Sequence, residues 1–336
     1  MTSICIPSHP LAKLFTAITL ATAPCAQAVL ISSGDGSGNT SAGEVEFAFD
    51  NVGQRGSATA VYLGNGYVLT ANHVGTGSVQ LNGQTYEVEA GSTRRVQNPE
   101  SSGLSTYTDL KVFRLTEIPE LPALTIATEG VATGDHVIMV GNGYNRASEQ
   151  TMWDVSTKTY PNVWTETTKA NKADVFGYKT ASGKTIRWGE NIVEGNQTIG
   201  LGTHGQILSF YTQFDTGAGS LEHEAQATNG DSGGAVFSYL NEEWQLVGIM
   251  HAVSDKSPYS GNPDDEISSK PFAYDGKVTY SSDLSQYDLT FGGELDFSQQ
   301  AAAAVQGIQQ PSPVPEPNAA ILLSSLALII WKRRKI

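Results

Sequence analysis

No stretch of this chain before residue 319 repeats its apolar residues at the 3.6-residue spacing of an amphipathic helix. That single feature removes helical bundles and α/β folds. What the chain carries instead is short β-rich runs at close spacing: 57–63 and 67–70 around Gly64-Asn65-Gly66, then 79–81 and 85–88 around Asn82-Gly83. Asn and Gly tolerate positive φ, so both junctions read as tight hairpin turns. Further runs cover 110–115, closed by Pro119 and Pro122, then 137–140 leading into Gly141-Asn142-Gly143, and later 207–214, 235–239 and 244–250. The expected class is all-β, a sandwich or barrel. Residues 29–43, rich in Ser, Gly and Asn, read as an irregular arm, and 145–200, with Trp153, Trp164 and Trp188 among polar residues, as strands with long loops.

The charge balance narrows the partners. Among 336 residues, Asp and Glu number 34 against 20 Lys and Arg, which argues against nucleic acid. The two cysteines, Cys5 and Cys25, both lie in the first 28 residues, where Lys13, an apolar run over 14–23 and Ala26-Gln27-Ala28 form the pattern of a secretory signal. With 1–28 removed, no cysteine is left for thiol catalysis or thiolate metal binding. His9, His136, His204 and His223 show no paired metal spacing either, so no metal is expected.

Gly230-Asp231-Ser232-Gly233-Gly234 is where chemistry enters. A serine hydroxyl becomes a useful nucleophile only beside a base and with donors ready for the charge developing on the attacked carbonyl. Ser232 is the candidate nucleophile, and the backbone N–H groups of Gly230 and Ser232 are the candidate oxyanion donors. Taken alone, the pentapeptide is also ordinary turn chemistry. His73, in Leu69-Thr70-Ala71-Asn72-His73-Val74, stands just past an apolar strand, suited to shuttle a proton or simply to sit at the surface. Asp109 heads the apolar run from Leu110 to Leu115, as a turn residue or as a buried carboxylate needing a partner, which a ring N–H of His73 would supply. Phe214-Asp215-Thr216-Gly217 has the form of an aspartic-protease tetrapeptide, but that chemistry needs two carboxylates and no second Asp-Thr-Gly occurs.

In order, Thr70-Ala71-Asn72-His73, Asp109-Leu110 with Leu115, and Gly230 to Gly234 resemble the triad segments of the chymotrypsin/trypsin-like serine peptidases. Val137 to Gly143 and Leu246-Val247-Gly248-Ile249 resemble two further strands of that family, the second lining its specificity pocket. The resemblance covers roughly 57–254. It implies two perpendicular six-stranded β-barrels with the site in the cleft between them, the first over 29–125 with the arm and the second over 126–300. It also implies peptide-bond hydrolysis through an acyl-enzyme without a cofactor, with polypeptide as substrate and Ser232, His73 and Asp109 as nucleophile, base and orienting carboxylate. Counting back six residues from Ser232 places Gln226 at the pocket base, and His251 falls where the family usually has a serine beside the buried aspartate. The family's disulfides are absent, and so is the start that normally pairs with the residue at Asp231. Signal removal would expose Val29-Leu30-Ile31 for that part; a lysine or histidine is the other choice. The alternative function is a silent protease scaffold acting as a surface binding module.

The end of the chain resembles a PEP-CTERM sorting signal. A Pro-rich spacer over 301–318 contains Val314-Pro315-Glu316-Pro317, and 319–336 holds an apolar segment and the basic cluster Lys332-Arg333-Arg334-Lys335. The resemblance implies an exosortase-type enzyme as partner, a short apolar helix in transient membrane contact, and export to the envelope, surface or exterior of a Gram-negative bacterium. A plain tail anchor is the other reading.

Overall fold

A computed structural model describes residues 29–43, 45–158, 162–255 and 273–297. The signal segment, the Pro-rich spacer and the apolar tail lie outside the described residues. Within them the chain is strands, turns and short 3-10 segments, as the missing helical period requires. No described helix is long and apolar enough to cross a membrane.

Both hairpin signals form. Asn65 and Gly66 take φ of 49° and 85° between Ala58–Gly64 and Tyr67–Ala71, and Asn82 and Gly83 take 47° and 79° between Val79–Leu81 and Gln84–Tyr86. A third hairpin, joining Ala235–Leu240 to Glu243–Asp255, turns on Asn241 and Glu242 at 51° and 67° without any glycine.

The first sheet is antiparallel and runs Gln84–Tyr86, Val79–Leu81, Val52–Arg55, Ala58–Gly64, Tyr67–Ala71, Tyr107–Arg114, Arg94–Gln97. It has seven strands where six were expected. The reason is local: beyond Gln84–Tyr86 the chain bridges Val88 to Leu115, turns at Gly91, and returns as Arg94–Gln97 along the same edge of Tyr107–Arg114. In the second unit, Arg187–Gly200, Gln206–Gln213, Lys277–Asp283, Glu243–Asp255, Ala235–Leu240 and His136–Gly141 close into a six-stranded barrel.

Strand Ala58–Gly64 is buried along nearly its whole length, so the usual apolar/polar alternation is missing. Alternate side chains instead enter different cores. Ala60, Tyr62, Val68, Phe113 and Leu115 fill the inside of the first sheet. Val61, Leu63, Leu69, Leu110 and Val112 face the other way and pack with Ile138, Val140, Phe237, Leu246 and Ile249 of the second barrel. Each fully buried side chain of this size contributes about 1.5–3 kcal/mol, so this shared core is what holds the two units in one register. Segment 284–297 returns across it, with Tyr287, Leu289 and Phe297 in the same cluster.

Two regions hard to read in the sequence are ordered. Val163–Glu166, Thr151–Ser156, Val175–Tyr178 and Ala273–Tyr274 form a separate four-stranded sheet around Trp153, Trp164 and Tyr274. The arm is irregular for most of its length, yet Leu30–Ile31 pairs with Ala225–Gln226, and Trp188 Nε1 donates to Ser41 O at 2.7 Å.

Candidate active site

Strand Tyr67–Ala71 pairs with Tyr107–Arg114 at Ala71↔Leu110, which sets the residues just beyond Ala71 against Asp109. Asn72 N–H donates to Asp109 O at 2.9 Å and His73 N–H to Asp109 Oδ1 at 2.9 Å. The ring follows: His73 Nδ1 lies 2.5 Å from Asp109 Oδ2. Backbone and ring contacts together fix the orientation of His73, and its other ring nitrogen has no hydrogen-bond partner among the described residues. Asp109 is fully buried. Burial pushes its carboxyl up, but hydrogen bonds from His251 and His73 outweigh this and hold it well below the usual carboxylate range.

Ser232 stands in the turn between Ala225–Gln226 and Ala235–Leu240, and the first sheet stitches that turn in place. Thr59 N–H donates to Ser232 O at 3.0 Å and Thr59 Oγ1 to Gly230 O at 2.7 Å, while Thr70 Oγ1 donates to Thr59 O at 2.7 Å. Gly230 has φ of 112°, and an added Cβ would fall on Lys184 Nζ, Asn142 O and Ser57 O. Neither Gly230 N–H nor Ser232 N–H has an acceptor among the described residues. Ser232 and His73 line one cavity of about 520 Å³ together with Gly230 and Lys184. No hydrogen bond joins Ser232 Oγ to His73; such contacts are often loose without substrate.

Asp231, next to the serine, points the opposite way into the interior. It accepts from Thr228 N–H at 2.7 Å and from Val29 N–H at 3.4 Å, and burial raises its pKa to about 6. The sequence left open whether the 29–31 segment, a lysine or a histidine meets this carboxylate; Val29 does, fully buried. The Gly141-Asn142-Gly143 run now has its reason, since a Cβ at either glycine would overlap the Asp231 carboxylate.

Residues 58–249 match the trypsin-like peptidase domain, more than half of the chain. The chain belongs to the trypsin-like peptidase family. No curated protein matches it. Among solved structures it is similar to an inactive form of Rv3671c from M. tuberculosis, at 15% identity over 79% of this chain and 90% of that one, TM-score 0.39. It is also similar to the HtrA-type protease AlgW at 20% identity, covering 67% of this chain and 47% of that one, TM-score 0.34. The NS6 protease from murine norovirus 1 aligns at 12% identity over 74% and 97%, TM-score 0.36.

In this trypsin-like peptidase Gln226 and His251, the two further residues singled out by the resemblance, both lie in the interior, and His251 stands beside the buried aspartate as expected. Gln226 is fully buried: its amide donates to Thr279 Oγ1 at 2.8 Å, and its backbone pairs with Leu30, so it belongs to the wall that seats the arm. His251 is buried behind Asp109, its Nδ1 3.1 Å from Oδ2, and burial lowers its pKa. It therefore shares with His73 the one carboxylate oxygen. His73, Asp109 and His251 offer three ligand atoms within 4.8 Å of one another, but the His73–Asp109 separation is that of a hydrogen bond and leaves no room for an ion between them. Two residues at the site gave no usable sequence signal. Thr59 lies within strand Ala58–Gly64, and Lys184 comes from Thr180–Lys184, which pairs with Tyr144–Arg146 beside the cavity.

Proposed function

We propose that this trypsin-like peptidase is a serine endopeptidase. Ser232 Oγ attacks a peptide carbonyl, His73 takes the hydroxyl proton and returns it to the leaving amine, and Asp109 fixes the His73 tautomer. The N–H groups of Gly230 and Ser232 receive the oxyanion, a contribution on the order of 10²–10³ in rate per donor. The acyl-enzyme on Ser232 is then hydrolysed by water through the same proton path. The supporting observation is the His73–Asp109 pair, held at both backbone and ring and facing the cavity that also contains Ser232.

The test is covalent labelling of the purified protein with a fluorophosphonate, read by intact mass. The expected result is a single adduct in the wild type and none in Ser232→Ala. A folded wild type that takes no adduct, even after brief treatment with a second protease, would identify a silent scaffold instead.

The reading extends to export. Cleavage after Ala28 would make Val29 the first residue, and Val29 already lies against Asp231. An exosortase-type enzyme would then act near Val314-Pro315-Glu316-Pro317 and leave the peptidase at the surface or released. N-terminal sequencing and intact mass of the exported protein test both cuts; retention of residues 1–28 or 319–336 argues against each.

A further inference from the structure

The cavity that holds Ser232 and His73 is cationic in an otherwise acidic chain. Arg55 and Lys184 line it, and no carboxylate among the described residues does. Lys184 Nζ donates to Ser57 O at 2.6 Å and lies 4.7 Å from the centre of the Tyr144 ring. One acceptor leaves an ammonium with two further N–H bonds. No carboxylate among the described residues forms an ion pair with it; burial lowers its pKa, and the Asp231 charge opposes this from a distance. Arg55 is similar: one guanidinium nitrogen donates to Thr76 O, while Nε is buried without a partner among the described residues.

The position of this charge is informative. Lys184 Nζ lies where a side chain on Gly230 would begin, beside a proposed oxyanion donor, and His73 forms another wall. His73 is the group that hands its proton to the leaving amine, so this part of the cavity receives the residues that follow the scissile bond. The geometry points to a carboxylate-binding subsite made by Lys184 and Arg55 that selects an acidic group one or two residues after the cleaved bond. This rests on the serine endopeptidase reading. The carboxylate comes either from an Asp or Glu side chain or from the free C-terminus of a substrate cut close to its end. A charge-assisted hydrogen bond in such a setting corresponds to about 10–100-fold in kcat/KM.

The experiment uses the full protein and four quenched peptides with the same acyl half. Two carry Glu or Gln in the two positions after the bond within a longer chain. Two end after a second Gln, one with a free carboxylate and one amidated. Wild type should favour Glu over Gln, or the free terminus over the amide, by about 10–100-fold, the pair showing which source is read. Lys184→Met should erase the preference and Lys184→Glu should turn it toward the Gln and amidated peptides, each read as a ratio of kcat/KM values within one protein, with fluorophosphonate labelling of the wild type alongside. A lysine that only supports Ser57 would slow all four peptides equally, and that result overturns the subsite. So does a labelled wild type that cleaves all four alike. A wild type that takes no label at all removes the endopeptidase reading beneath it, an outcome the labelling arm identifies separately.

Discussion

Asp109 receives more hydrogen bonds than the orienting role proposed for it requires. His73 and His251 both point Nδ1 at Oδ2, and His204 Nδ1 stands 3.9 Å from Oδ1, half-exposed. His251 Nε2 is buried with no partner among the described residues, which marks the neutral ring with its proton on Nδ1. Replacing His251 by Phe removes one donor to a buried carboxylate and should cost about 1.5–3 kcal/mol. The direction with pH follows from the lowered Asp109 pKa: its stability is present above the unfolded value and lost as pH falls through the folded one. His251→Phe raises the folded value, so the acid limb of the melting temperature should move to higher pH. An unmoved acid limb would show that His251 does not share the Asp109 charge. Asp109→Asn should lower kcat about 10⁴-fold while leaving the fold intact, by stabilising the wrong tautomer of His73.

At the scale of elements, the strand Ala58–Gly64 does what the turn around Ser232 cannot do alone. Thr59 donates to Gly230 O and Ser232 O, and its hydroxyl accepts from Asn142 N–H at 2.9 Å. One threonine thereby ties the first sheet to the turn and to the end of His136–Gly141. Thr59→Val keeps the shape and leaves two partners unmet. It should destabilise by about 1–3 kcal/mol and slow fluorophosphonate labelling of Ser232, measured on protein shown to be folded by its melting transition. A stability loss without slower labelling would mean the turn keeps its shape unaided.

Across the whole molecule, the buried carboxyls set a pH dependence opposite to that of Asp109. Burial raises Asp231 to about 6 and Glu224 to about 7. An acid with a raised folded pKa contributes stability below its unfolded value and loses it as pH rises through the folded one, so stability should fall from about pH 4 to pH 7. For Asp231 this is about 3 kcal/mol in a chain whose Val29 nitrogen is an amide. If Val29 becomes the first residue, its ammonium offsets the Asp231 charge. Melting temperatures from pH 4 to 8 should then drop less for a chain beginning at Val29 than for one with an extra residue before it. Equal drops would show that Val29 does not remain at Asp231 once freed.

Sequence alone determined the local matters, because each depends on residues adjacent in the chain. Asn65-Gly66 and Asn82-Gly83 specify turns through their own φ, the absent helical period excludes helices, and Gly230 to Gly234 marks a backbone that must bend closely around a serine. The pairing of His73 with Asp109, 36 positions apart, was legible only through the motifs around each, and Asp109 lies inside strand Tyr107–Arg114 instead of heading it. Tertiary structure decided what depends on distant residues arriving together. Gln226 could not be known to face Thr279, nor Lys184 to reach Ser57 O, 127 positions away, since neither contact leaves a periodicity or a motif behind. The sheet around Trp153 and Trp164 escaped for a related reason: its strands are short, polar on the outside, and completed by Ala273–Tyr274 from far along the chain. Charge followed the same division. The acidic total is a property of composition, but the cationic cavity exists only because folding brings Arg55 and Lys184 to one place with no carboxylate among the described residues lining it.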